Sequence, residues 1–392
     1  MLPRIRSSLA RWVDAGVIDA ATAARISEFE ERERPRREGR WPVFLALAAG
    51  GILLGAGVLL FVSAHWDELS PTGRFSLVLL MVAVFHAGGA LAHHFTALAT
   101  VLHAVGTAAL GGGIFLAAQI FHLEEHWPGG LMLWALGAAL GWALLRDWPQ
   151  AALFALLAPA WLVGEWMVAT ERLEGGWPVL GQALIALAAT YLSARAPGRE
   201  GAARESLAWI GGLALIPVVI FTAVNETRFG SHPHLPSSLK VAGWVVGLLL
   251  PLGLAVVLRG RAAWMNGLAV AWAIVLAALA KNVERRIVAG EAGAPGNVAP
   301  PPFWPELGVY AWCALGAIAL VLWGLAEARR ERINLGVAGF ALTVSFFYFS
   351  SIMDKLGRSA SLIGLGLLFL LGGWALERTR RLLIARLEGG HP

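Results

Sequence analysis

The sequence predicts an all-α protein, a polytopic membrane helical bundle of about 12 transmembrane helices preceded by a small N-terminal helical hairpin. Three observations carry this. Roughly twelve stretches of about 17 to 25 mostly apolar residues follow one another from Trp41 to Glu377, each fenced by charged or turn-forming residues, and about 20 helical residues at 1.5 Å each cross a hydrocarbon core of about 30 Å. The chain is 57% hydrophobic and only 15% charged, where soluble domains carry about 25% charged residues. Lys and Arg also fall unevenly: taking alternate loops, the side that holds both tails has 22 and the other side has 9. By the positive-inside rule, that puts both termini in the cytoplasm.

The first 40 residues are polar, so insertion is expected to start at the first span and not at a cleaved signal. Leu9, Trp12 and Val13 share a helical face, Gly16 breaks that helix, and Asp19 is placed to cap a second one carrying Ile26 and Phe29. The run ending in RPRREGR closes this arm with juxtamembrane basic charge.

The expected spans are 41–63, 75–93, 97–121, 130–145, 151–168 and 178–194, then 206–224, 240–258, 262–280, 306–326, 333–351 and 359–377. The corresponding divisions are an arm over 1–40, four spans over 41–150, eight over 151–377, and a tail over 378–392. Trp41, Trp66, Trp127, Trp148, Trp177 and Trp304 fall at span ends, where an indole buries its ring and still donates its N–H. Runs such as AAGGILLGAG, GTAALGGG and GLGLLFLLGG supply the small residues that let helices approach closely in lipid. Pro159, Pro217 and Pro251 fall inside spans, where they can break or kink them. The outer loops 225–239 and 281–305 are rich in Pro and Gly and read as irregular. A short echo, S-x-x-x-D-x-L, joins Ser63, Asp67 and Leu69 to Ser350, Asp354 and Leu356.

Seven of the ten histidines lie between His65 and His126. His86 stands about 10 Å above His93 along the second span, and His103 about 9 Å into the third, so the two imidazoles reach similar depth in one antiparallel hairpin. Intramembrane ionisable residues are costly, which singles out His86, His103 and the outward-lying Glu165. Such a pair of histidines serves a proton path, ligates haem or a metal, or simply fills space with each ring hydrogen-bonded. Gln119 and His122 extend this group of polar lining candidates, although His103 stands about 160° from Gln119 around the helix, so no single stripe joins them. At the outer end of the third span, His122 to His126 has the form H-x-x-E-H, with Glu125 inside it and Glu124 beside it. Zinc chemistry needs those side chains on a helix plus a further ligand, and Pro128 and Gly129 follow at once. His65, Asp67, Glu68, Glu124, Glu125 and His126 otherwise form an acidic and histidine-rich outer face. No resident metal or cofactor is expected, zinc and haem being the minor alternatives. The basic residues are spread over short loops, which argues against nucleic acid. The lone Cys313 excludes an intrachain disulfide.

The strings WVDAGVIDAATAARISEFEER, FVSAHWDELSPTGRF and LHAVGTAALGGGIFLAAQIFHL resemble the bacterial membrane proteins of domain-of-unknown-function family 2157, over roughly residues 9–150. The resemblance implies an integral membrane protein with a cytoplasmic N-terminal segment, and it brings no activity and no catalytic residues. SFFYFSSIMDKLGRSASLIGLGLLFL is similar to the end of a companion uncharacterised membrane family. Three functions stay open on the sequence. The first is a non-enzymatic protein of the bacterial inner membrane that moves or senses a small molecule or proton. The second is a metal-dependent transferase or hydrolase using Asp67, Glu68, His122, Glu125 and His126. The third is a scaffold that recruits a cytoplasmic protein partner through residues 1–38 and has the lipid bilayer as its other partner.

Overall fold

The computed structural model describes residues 12–38, 70–120, 126–171, 176–195, 201–225, 235–291 and 303–352, with a few single positions besides. The described residues are helical with short π and 3-10 segments, and no strand occurs among them. Eight helices among the described residues are long and apolar enough to cross a membrane, and Gly176–Leu192 is a shorter apolar helix of 17 residues. The protein is a helical membrane protein. The expected spans 41–63 and 359–377 lie outside the described residues, apart from single positions, so the count of twelve is not reached among those described.

In the arm, Gly16 adopts φ +68° and the Val17 N–H bonds back to the Trp12 carbonyl at 2.9 Å, a helix stop that a residue with a side chain resists. The Asp19 carboxylate then accepts from the Thr22 N–H at 3.0 Å and starts α1 (Ala20–Glu38). The Thr22 hydrogen bonds hold the Asp19 carboxyl below its ordinary range.

The chain divides into two compact units, Met1–Gln150 and Ala151–Pro392. In the first, α2 (Pro71–Leu91) and α3 (Thr96–Ile120) form a tight hairpin, and α4 (Pro128–Leu145) packs on α3. Ser70 caps α2 by accepting from the Gly73 N–H at 3.1 Å, with Pro71 at the first helical position, where its missing N–H costs nothing. Glycines set the helix spacing. A Cβ on Gly111 would come within 2.2 Å of the Trp134 ring, and one on Gly113 within 2.7 Å of Val78.

α5 (Trp148–Thr170) begins at the end of the first unit and continues through Pro159 without interruption. The second unit continues with α6 (Gly176–Leu192) and α7 (Ala202–Asn225), then α8 (Ser237–Trp244), a π turn over Val245–Leu249 and α9 (Leu250–Arg259). A 3-10 turn over Gly260–Ala263 leads into α10 (Trp264–Glu291), followed by α11 (Phe303–Ala326) and α12 (Arg330–Phe347). Pro217 is accommodated inside α7, whereas Pro251 follows the π turn, where the helix has already loosened around the missing donor. The chain reverses at Gly260. Along α8 and α9, Gly243, Gly247 and Pro251 meet Val179, Ala183 and Thr190 in parallel, and along α10, Asn266 and Ala273 meet Ser193 and Ile185 in the opposite sense.

α10 runs eleven residues beyond its expected end at 280. The segment KNVERRIVA has helix-forming residues and no Gly or Pro, so local propensity extends the helix into what composition marked as loop. Trp272 and Trp312 lock α10 to α11 by exchanging indole N–H bonds for each other's carbonyls at 3.1 and 3.0 Å.

Candidate functional site

His86 on α2 and His103 on α3 meet Nδ1 to Nδ1 at 3.1 Å, with ring centroids 5.4 Å apart. For this contact to be a hydrogen bond, one ring carries the proton on Nδ1 and the other offers its Nδ1 lone pair, with its own proton on Nε2. Each ring lies on a glycine of the opposite helix. A Cβ on Gly89 would fall 2.8 Å from the His103 ring, and one on Gly106 would fall 2.9 Å from the His86 ring. The pattern His-x-x-Gly therefore occurs once on each helix, 86 to 89 and 103 to 106, and the antiparallel hairpin places each histidine over the other's glycine. Three residues make nearly one helical turn, so histidine and glycine of each pair share a face.

The backbone under His103 is also tied down. Its carbonyl accepts from the Thr107 hydroxyl and from the Gln150 amide, both at 3.1 Å, and the Trp134 indole N–H bonds the Thr107 carbonyl at 2.8 Å. His103 and Gln150 are buried, and His86 is half-buried. The sequences of α2, α3 and α4 contain no carboxylate. α4 carries no titratable group, and the only cation on α2 is Arg74 in its first turn. The segment 41–63, whose Gly51 lies against Val101 and Val105 of α3, also contains no Asp, Glu, Lys, Arg or His. Among the described residues, the two imidazoles have only each other as proton-binding neighbours at that depth.

The remaining expected site residues do not join them among the described residues. Gln119 is exposed in the last turn of α3. His126 is exposed between α3 and α4, outside both helices. His65, Asp67, Glu68, His122, Glu124 and Glu125 lie outside the described residues. Glu165 belongs to the second unit, where its carboxylate accepts from the Trp161 indole at 2.8 Å. No group of three or more His, Cys, Asp or Glu side chains able to hold a metal occurs among the described residues.

A second polar centre, which sequence reasoning treated only as loop charge, lies at one end of the second unit. Glu327 binds Arg259 and, at 2.6 Å, Arg332, and accepts from the Trp323 indole at 2.7 Å. Both guanidiniums lie over the Trp323 ring, at 5.1 and 4.8 Å from its centroid. Arg332 is fully buried and also donates to the Arg195 carbonyl at 3.1 Å, while Arg259 donates to Asn266 at 3.3 Å. Arg204 bonds the carbonyls of Ala194 and Leu258, both at 2.9 Å, so three chain reversals are tied together. Burial alone would push the Glu327 carboxyl up. The Arg332 hydrogen bond and charge, the Trp323 hydrogen bond and the Arg259 charge outweigh it and hold the carboxyl below its ordinary range. This end carries Arg195, Arg204, Arg259, Arg261, Arg329, Arg330 and Arg332 against Glu205, Glu327 and Glu331. A usable sequence signal existed in Trp-x-x-x-Glu, which occurs at 161–165 and 323–327 and in both places sets an indole N–H on a carboxylate one turn later.

With the first unit's geometry in view, the comparison with known families falls on the same stretch of chain. Residues 10–149 match the model of a family described as predicted membrane protein, DUF2157. The match ends one residue short of the boundary of the first compact unit, and it contains His86, His103 and both cradling glycines. The DUF2157 model thus covers the histidine pair, while the Arg–Glu–Arg centre lies in the part of the chain it does not cover. No curated protein and no solved structure matches the chain.

Proposed function

We propose that this chain is a non-enzymatic protein of the bacterial cytoplasmic membrane, with both termini in the cytoplasm, whose DUF2157-like unit senses protons through the His86–His103 pair. The observation that carries the proposal is the 3.1 Å approach of two Nδ1 atoms inside membrane-length helices, with no other titratable group beside them among the described residues. The neutral pair holds one proton between its Nδ1 atoms. A first added proton enters at the free Nε2 of the donor ring, and the hydrogen bond survives as a charge-assisted one. A second must enter at the acceptor Nδ1, leaving two N–H groups and two cations face to face, so the pair opens. Histidine is the side chain whose ordinary titration range makes such a switch usable near neutral pH. The orientation is supported by the 22 to 9 division of basic residues.

Sensing is favoured over moving a polar solute because each ring rests on a glycine of the opposite helix. An open cavity of about 800 Å³ among the described residues is apolar and belongs to the second unit. Spin labels at the exposed positions Leu80 and Phe115, one on each helix of the hairpin, test this for protein in lipid vesicles. The separation of α2 and α3 is expected to grow on acidification in the wild type and to stay constant in the His86→Gln His103→Gln variant. A wild-type separation that does not respond to pH defeats the proposal. A downhill proton flux abolished by His103→Gln would replace sensing with conduction.

A further inference from the structure

The apolar cavity of the second unit is a groove with a basic end. Its wall on α11 extends from Val309 to Ala326, about 25 Å of helix at 1.5 Å per residue. Leu268, Leu322 and Phe346, which line it, also have large exposed surfaces, so the groove opens towards the surroundings of the helices, and hydrocarbon fills such a space in a bilayer. At one end it is walled by Trp264 and Trp323, and Trp323 is the ring that carries the Arg259 and Arg332 guanidiniums. Those two cations are committed to Glu327. Arg261 is not: it is exposed in the turn Gly260–Ala263, three residues before Trp264, and forms no ion pair with any described residue. The opposite end is finished by the Tyr310 and Ser350 hydroxyls, bonded at 2.9 Å, with Lys281 following the lining residue Ala280.

Hydrocarbon, then indole, then guanidinium is the order of environments that a phospholipid with an anionic headgroup matches, chain by chain and charge by charge. We propose that the groove seats an anionic phospholipid from the leaflet at the arginine end, with its phosphate at Arg261 and an acyl chain along Trp264, Leu268 and Trp323. Arginine suits this role because its fork of donors fits phosphate oxygens while the charge persists at any working pH. The excess of arginine over glutamate at this end adds a longer-range attraction of the same sign.

Native mass spectrometry of the full chain tests the site, after reconstitution in vesicles of one part phosphatidylglycerol to three parts phosphatidylcholine and release in mild detergent. Wild-type protein is expected to retain phosphatidylglycerol about fivefold above its share of the vesicle, the effect of one basic side chain near a membrane surface. Arg261→Gln should fall to the vesicle ratio, and Lys281→Gln should behave as wild type. Gly339 lines the groove, and among the described residues a Cβ there meets only Ala317, at 3.8 Å, so Gly339→Phe should enter the space and reduce retention of both lipids. Should Gly339→Phe misfold, the exposed Arg261 still decides the matter. Retained lipid that mirrors the vesicle, an Arg261→Gln variant as enriched as wild type, or enrichment lost in Lys281→Gln would each overturn the proposal. So would complete disulfide formation between Cys313, which lines the groove, and cysteines introduced along 359–377, since that segment would then occupy the space.

Discussion

In the first unit two imidazoles meet between glycine-bearing helices with no carboxylate near them among the described residues, whereas in the second two guanidiniums, a carboxylate and an indole are bound together where helices end. The difference follows from what each side chain can do with its charge. Histidine can be neutral, so a pair sharing one proton can sit within a span at the cost of an ordinary buried hydrogen bond. Arginine keeps its charge in proteins, so it is buried only with a counter-ion, and here two share one glutamate and spread the remaining charge over Trp323. The histidine centre is thus open to change by a proton, and the arginine centre resists change.

Removing one partner from each centre separates the two designs. Glu327→Gln leaves two buried guanidiniums without their carboxylate and should destabilise the second unit by about 3–5 kcal/mol, read from unfolding in detergent. Acidification imitates this. Because the Glu327 carboxyl is held below its ordinary range, its contribution is complete above that range and is lost as pH falls through the lowered value. Unfolding of wild type should therefore become easier in acid, and Glu327→Gln should lose that part of the dependence. In the first unit, Gly89→Ala forces a Cβ against the His103 ring and should cost about 1–3 kcal/mol, with most of the penalty gone in a His103→Ala background. A penalty that persists without the ring would place the strain elsewhere. The smallest effect is expected at Gln150. Its amide bonds the His103 carbonyl, but its Oε1 has no partner, so Gln150→Leu gives up one bond and removes one unpaired buried oxygen, for a net change under about 1 kcal/mol.

Much of the fold was legible because lipid imposes a length and a hydropathy on every span, and the described helices lie where the apolar stretches between 75 and 351 placed them. The meeting of His86 and His103 was legible too, since rise per residue and a short turn fix their depth in a hairpin. The partnering of each ring with a glycine was not, because facing positions depend on how the hairpin is rotated, and an abundance of glycine hides which ones matter. The Arg259–Glu327–Arg332 centre escaped for a different reason. Loop charges report the side of the membrane, but the sequence does not say which of three reversals meet in space. Gln150, which falls between the expected spans 130–145 and 151–168, proved to be a brace for the carbonyl beneath a histidine.

The most direct test of the central claim is a ¹⁵N–¹⁵N correlation spectrum of histidine-labelled protein in lipid. The account predicts one cross-peak joining a protonated Nδ1 to an unprotonated Nδ1, absent from both His86→Gln and His103→Gln and lost on strong acidification. Two imidazoles that show no coupling at any pH, each exchanging its protons independently with water, would contradict it.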